Sequence, residues 1–353
     1  MGDFALLHFV TICELCPACP RPKKPLRQCC AAAVIRRDGI MAMAVQQTLA
    51  GSVQFAGFGL HSGAPVRMTL HPASAGAGIT FLRSDVAGID AVVPAHWDAV
   101  VQSRLCTLVA NADGVSVSTI EHIMAALAGC AIHNAIIEID GPEVPILDGS
   151  AAPFVAGILD AGIAQLDAPL RAIVVKKSVE VRQGDAVVRL DPADMLEIDF
   201  EIDFAEAAIG RQSLRMNMAN GAFVRELSAS RTFCRNADVI AMRERGLALG
   251  GTLENAVVFD GDRVLSPGGL RHANEPVRHK MLDALGDLAL AGAPILGRYT
   301  GYRAGHAMTN ALLRALFADP AAWAMVDVGQ GTFGKLPGIG VHLGDIAPLF
   351  AAQ

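Results

Sequence analysis

The chain has 353 residues, a length that suggests about two domains and a core large enough to fold unaided. Lys and Arg total 29 against 35 Asp and Glu, a formal net charge of −6, so the basic excess of a general nucleic-acid binder is absent and no nucleic-acid partner is expected. The 52% hydrophobic and 18% charged residues exclude global disorder; mean hydropathy is +0.39, but much of it comes from alanine and no run of about 18 uncharged apolar residues predicts a transmembrane segment.

The N-terminus is a compositional outlier, because Cys13, Cys16, Cys19, Cys29 and Cys30 all fall in it. Cys13-x-x-Cys16-x-x-Cys19 followed by Cys29 has a spacing that lets thiolates converge on zinc or a cluster. The Pro-rich basic run 20–25, and Met41 and Met43 just ahead of the first regular pattern, fit instead a leader that is disordered or begun too far upstream. Residues 4–13 are apolar but lack a positive flank and a small-residue cleavage site, so a secretory signal fits poorly. The cysteines are then expected in a reducing compartment, and the protein in the cytoplasm. Residues 1–43 are set apart as leader.

From Val45 onward short β-like runs alternate with amphipathic helical runs, an α+β pattern. Strands are predicted at 66–70 and 79–82. Ser118 and Thr119 ahead of Glu121 read as a hydroxyl-capped helix start, with Gly129 as its stop. A buried strand follows at 135–139, then irregular chain at 141–145 and a helix at 153–163. A boundary near Asp167-Ala168-Pro169 divides a first domain, 44–168, from a second, 169–353. The second opens with a hairpin over 173–188 around Gln183-Gly184-Asp185 and a strand at 196–204. Helices are predicted at 222–229, 237–245, 277–291 and 307–317, and a strand at 295–303. His122-x-Met124 with Gly129 matches His279-x-Met281 with Gly286, a faint sign of two related halves.

His279 and Asp283 stand four residues apart on a predicted helix, so both project from one face and can reach one cation or form a surface ion pair. Asp287 continues the stripe. Glu121-His122 supplies a further imidazole beside a carboxylate that need not bind metal. Zinc held by two His and one Asp keeps a position open for water and lowers its pKa toward about 7, and a free carboxylate can take the proton. Structurally, Glu121 equally serves as a helix cap and His122 as a core histidine. His306, where a strand turns into a helix, is either a turn residue or an acid oriented by Asp287. Thr232 could present its hydroxyl to an oxyanion. His71, His96, His133, His272 and His342 show no ligand spacing. The glycine-dense stretch 57–63 lacks a phosphate-loop ending and reads as a tight turn, with Glu143 and Asp148 as loop-fixing groups.

Together, the stretches 118–129, 142–151, 230–233, 278–287 and 305–307 resemble, in order and over roughly residues 46 to 326, the UDP-3-O-acyl-N-acetylglucosamine deacetylases. The resemblance implies two related α+β domains, each a β-sheet packed on helices, with the active site between them. It implies the zinc-dependent hydrolysis of UDP-3-O-[(3R)-3-hydroxyacyl]-N-acetylglucosamine to the free amine and acetate, the committed step of lipid A biosynthesis. Carried over by position, His122, His279 and Asp283 would hold Zn2+, Glu121 would be the general base, Thr232 would help hold the oxyanion, and Lys280 would supply positive charge nearby. His306, oriented by Asp287, would be the general acid. Leu60, Cys106, Phe233, Ala248, Thr252 and Val258 would border an apolar passage for the acyl chain. Arg303 stands where some relatives have Lys. The implied partner is the UDP-linked acylated amino sugar, with at most transient contact with membrane lipids and a monomeric chain. The alternatives are a zinc amidohydrolase for a different N-acyl sugar and a non-catalytic binding protein on the same fold.

Overall fold

A computed structural model describes residues 43–346. The cysteine cluster at 13–30 and all of the leader except Met43 lie outside the described residues. Met43 forms an isolated bridge with Gly329.

Five α-helices carry the architecture: α1 (Glu121–Gly129), α2 (Ala152–Ala161), α3 (Asn236–Glu244), α4 (Glu275–Ala289) and α5 (His306–Ala318). In the first half, the sheet order is Val53–Phe58, Pro65–Pro72, Ala135–Ile139, Ile79–Arg83, Val92–Pro94. Its central strand, Ala135–Ile139, follows α1 and runs antiparallel to Pro65–Pro72 but parallel to Ile79–Arg83. The second half repeats this pattern. There Ile295–Tyr302 follows α4, runs antiparallel to Ala186–Asp191 and parallel to Leu196–Asp203, and those two strands pair outward with Val179–Gln183 and Arg211–Asn217. In both halves a second helix, α2 or α5, comes after the central strand. The chain is therefore α+β with two related halves, as the faint helical repeat suggested. Leu196–Asp203 alternates buried and half-buried residues along its length, which is what one face against a core requires.

Helix α1 is apolar almost all round and is buried from Glu121 to Leu127, so its stability comes from being enclosed rather than from caps or propensity. It crosses α4 at a position without a side chain: a Cβ at Gly286 would collide with the Glu121 carbonyl oxygen and reach within 3.1 Å of the Ala125 nitrogen. Pro276 is accommodated in the first turn of α4, where backbone N–H groups have no helical partner.

Several sequence expectations are corrected. Ser118 and Thr119 do not cap α1; Ile120 holds the cap position without a side-chain bond, and the two hydroxyls donate instead to the Pro142 carbonyl and to Glu143. Residues 222–229 form only a π-helical turn, Phe223–Leu227, whose Phe223 ring fills the space beside Gly129. The hairpin around 183–185 pairs Val179–Gln183 with Ala186–Asp191, whereas Arg171–Val175 lies between Ile295–Tyr302 and Trp323–Asp327. The Gly57–Gly63 stretch is the tight turn expected of it, joining Val53–Phe58 to Pro65–Pro72.

Gly286→Ala is expected to lower stability by on the order of 2 kcal/mol, because forcing the helices apart outweighs the gain of about 1 kcal/mol in helix propensity. Thermal unfolding checks this, and a melting temperature equal to or above wild type contradicts the close crossing.

Candidate active site

The crossing of α1 and α4 brings together residues from distant stretches. His122 on α1 and His279 on α4 meet edge to face, with ring centroids 4.9 Å apart. Asp283, one turn beyond His279, places Oδ1 at 3.3 Å from His279 Nε2 and 3.7 Å from His122 Nε2. One ligand atom from each residue lies within 4.8 Å of the others, and all three residues are buried. The alternative of a surface ion pair between His279 and Asp283 is excluded by that burial.

The tautomer of His279 follows from its surroundings. Nδ1 lies 2.9 Å from the Ser230 carbonyl oxygen, which can only accept, so Nδ1 carries the proton and Nε2 presents a lone pair. Burial lowers the pKa of both imidazoles, that of His122 to about 3 with a further contribution from His279, so both rings are neutral donors. Burial opposes ionisation of Asp283, but its neighbours outweigh it and hold its pKa below the ordinary value: the imidazoles of His279, His306 and His122 and the Lys280 ammonium all favour the carboxylate. Asp283 Oδ1 has no hydrogen-bond partner. A buried carboxylate oxygen facing two imidazole lone pairs, at separations close to the roughly 3.3 Å edge of a tetrahedral zinc site, fits a divalent cation.

Two acid–base groups face this cluster. Glu121, at the first position of α1, is buried, and burial, partly offset by His306 and reinforced by Asp283 and Asp287, raises its pKa to about 7. His306 begins α5, just after Arg303, which has a left-handed φ of 51°. Burial opposes its protonation, but Asp287 and Glu121 prevail and raise its pKa to about 9. Its Nδ1 bonds Asp287 Oδ2 at 2.9 Å, the partner expected from sequence, while Nε2 lies 3.7 Å from Glu121 Oε1. Lys280 Nζ donates to Asp283 Oδ2 at 2.7 Å. Burial lowers and Asp283 raises the pKa of this lysine, with a net rise.

A carboxylate clamp aligns the start of α1. Glu143 accepts from the His61 and Ser62 N–H groups, the Ser62 hydroxyl and the Thr119 hydroxyl, at 2.6–3.0 Å. Although burial opposes its ionisation, these bonds keep its pKa below the ordinary carboxylate value. Thr119 itself sits at φ 58°, an unfavourable conformation for a β-branched residue that the clamp and its neighbours sustain. The loop-fixing reading of Glu143 is thereby supported in full, and Asp148 likewise binds Ser150 and Arg271.

The remaining expected residues are spread more widely. Cys106 is buried, with its thiol pKa raised by burial and the Glu121 charge, and it borders, with Thr107 and His306, a cavity of about 260 Å³. Phe233 stands edge-on to His279 at 6.4 Å between ring centroids. Val258 pairs with Cys234 in the neighbouring strand, and Leu60 and Ala248 each border Gly251. Thr252 is exposed, its hydroxyl accepting from the Glu254 and Asn255 N–H groups. Thr232 uses its backbone to bond Gly149 and Val257.

Sequence reasoning missed two contributors. Arg231 and Glu275 form a buried pair at 3.0 Å that ties the Ser230–Thr232 segment to the start of α4. Thr107 donates its N–H to Glu121 Oε2 at 3.0 Å and its hydroxyl to Asp287 Oδ1 at 2.5 Å. No local spacing marks either; each partner comes from elsewhere in the chain.

Comparison with known proteins finds relatives over most of the chain. A sequence model of the family described as UDP-3-O-acyl N-acetylglycosamine deacetylase matches residues 46–318. A protein of Phenylobacterium zucineum (strain HLK1) is 50% identical over 278 residues, 79% of this chain and 95% of its own length. Proteins of Anaeromyxobacter dehalogenans (strain 2CP-C) and Pasteurella multocida (strain Pm70) are each 45% identical, over 86% and 80% of this chain and 98% and 93% of their own lengths. All three are named UDP-3-O-acyl-N-acetylglucosamine deacetylase.

Asp283→Ala is expected to reduce bound metal to well below one equivalent, since two imidazoles alone make a poor site. Elemental analysis of the purified protein checks this, and stoichiometric metal in the variant removes Asp283 from the ligand set.

Proposed function

The chain belongs to the UDP-3-O-acyl N-acetylglycosamine deacetylase family, and from that premise we propose that its buried centre hydrolyses the acetamide of UDP-3-O-[(3R)-3-hydroxyacyl]-N-acetylglucosamine, releasing acetate and the glucosamine amine. The chain is thus a hydrolase, acting at the committed step of lipid A biosynthesis. The observation that carries this reading is the unpartnered Asp283 Oδ1 between two neutral imidazoles, with an acid–base pair 3.7 Å apart beside it.

His122, His279 and Asp283 would hold the cation, which we take to be Zn2+. When bound, such an ion polarises the acetamide carbonyl and makes water more acidic. Glu121 Oε1 takes the proton of the attacking water, which its raised pKa equips it to do near neutrality. His306 Nε2, held by Asp287, donates a proton to the departing nitrogen. Lys280 brings positive charge beside Asp283, and the Thr232 hydroxyl is assigned to the developing oxyanion. Leu60, Cys106, Phe233, Ala248, Thr252 and Val258 are assigned to the acyl chain, whose burial contributes about 0.8 kcal/mol per methylene. The substrate lies between the halves 44–168 and 169–353. We place the chain in the cytoplasm as a monomer with transient contact to lipids; the unbridged Cys106, Cys130 and Cys234 accord with a reducing compartment. No helix among the described residues is long and apolar enough to cross a membrane.

Acetate release is expected from the UDP-linked acylated sugar and to be far slower from UDP-N-acetylglucosamine without the 3-O-acyl chain; equal rates point to a different N-acyl sugar. Glu121→Gln is expected to keep its metal and lose roughly 10²-fold or more in kcat. The rate falls in acid as Glu121 gains a proton, around its pKa of about 7, and falls in alkali as His306 loses one, around about 9. A kcat profile without an alkaline fall removes His306 as the acid.

A further inference from the structure

We propose that Thr107 is a positioning residue of this reaction, one side chain and its own backbone setting the register between base and acid. The inference rests on the functional reading above. Thr107 is 4% exposed and all its polar groups are engaged. Its N–H donates to Glu121 Oε2, its carbonyl accepts from the Ile120 N–H at the start of α1, and its hydroxyl donates to Asp287 Oδ1. The hydroxyl bond spans 180 residues of sequence.

These bonds divide the labour of each carboxylate. With Oε2 of Glu121 held, Oε1 is the oxygen turned toward His306. With Oδ1 of Asp287 held by the hydroxyl, Oδ2 is the oxygen that receives His306 Nδ1–H. The terminal torsion of an aspartate is broad and nearly two-fold, so a carboxylate held on one oxygen only is free to swing. A donor at 2.5 Å to a charged acceptor closes off that freedom and keeps the imidazole aimed at the site. Thr107 also forms part of the wall of the cavity that reaches His306, where a small loss of order acts directly on the acid.

Valine matches threonine in shape and keeps both backbone contacts, so Thr107→Val removes the hydroxyl bond alone. In the metal-loaded enzyme, Thr107→Val is expected to lower kcat about tenfold or more, with KM for the UDP-linked substrate within about twofold of wild type. Metal content and melting temperature stay at wild-type values, and Thr107→Ser recovers kcat to within about threefold. A valine variant as fast as wild type, a serine variant as slow as the valine one, or a loss confined to KM overturns the proposal. Should the valine variant fold poorly, Thr107→Ala set against Thr107→Ser decides in the same way: serine faster supports the proposal, equal rates overturn it. Wild-type enzyme that releases no acetate overturns the functional reading and this inference with it; an active wild type matched by Thr107→Val overturns this inference alone.

Discussion

Helix α1 and helix α4 touch backbone to backbone, and that contact is possible because residue 286 has no side chain to hold them apart. It sets the distances between the site residues of the two helices. His122 and Glu121 ride on one helix, His279, Asp283 and Asp287 on the other, and both helices are buried along the face they share. Moving the axes apart by a methyl group would open the ligand cluster and the Glu121–His306 gap together. A close-packed interior transmits such a change rather than absorbing it.

The charge pattern makes the same demand on the surroundings. Burial by itself would neutralise all the carboxylates here and strip protons from all the imidazoles. It succeeds for His122 and His279, giving the neutral state that the proposed ligand role requires, and it carries Glu121 up to about 7. It fails for Asp283, whose Oδ2 faces the Lys280 ammonium and the His306 ring, and for His306, which leans on Asp287. Groups of one chemical type thus take opposite states within a few ångströms, as an acid–base centre needs. The Glu143 clamp belongs to this arrangement at one remove: it keeps Thr119 in its left-handed conformation and so fixes where α1 and Glu121 begin.

What was legible in the sequence is what local periodicity encodes. His279 and Asp283 at helical spacing, Asp287 one turn on, and Glu121-His122 at a helix start were all readable, since a helix converts spacing into a shared face. The central strands and the helices before them were readable for the same reason. The crossing was not, because nothing near Gly286 announces that its partner is the carbonyl of Glu121. The capping reading of Ser118 and Thr119 failed because tertiary acceptors, the Pro142 carbonyl and Glu143, captured their hydroxyls. The strand Arg171–Val175 reads locally as a hairpin arm, whereas its neighbours in the sheet lie more than a hundred residues downstream. Thr107 left no trace for the same kind of reason.

The repeated topology explains why the site is divided as it is. The two central helices share His-x-Met and a glycine seven residues after the histidine, and each supplies one imidazole. Beyond that the copies have diverged. The position of Asp283 in α4 corresponds to Ala126 in α1, that of Asp287 to Cys130, and that of Glu121 to Arg278, which turns away to pair with Glu226. A pair of identical helices would have brought two bases or two ligand carboxylates to one point, repelling each other in a buried site. Under the proposed roles, having the base on the first copy, and the ligand carboxylate with the acid's partner on the second, separates those functions while the shared backbone crossing keeps them within reach.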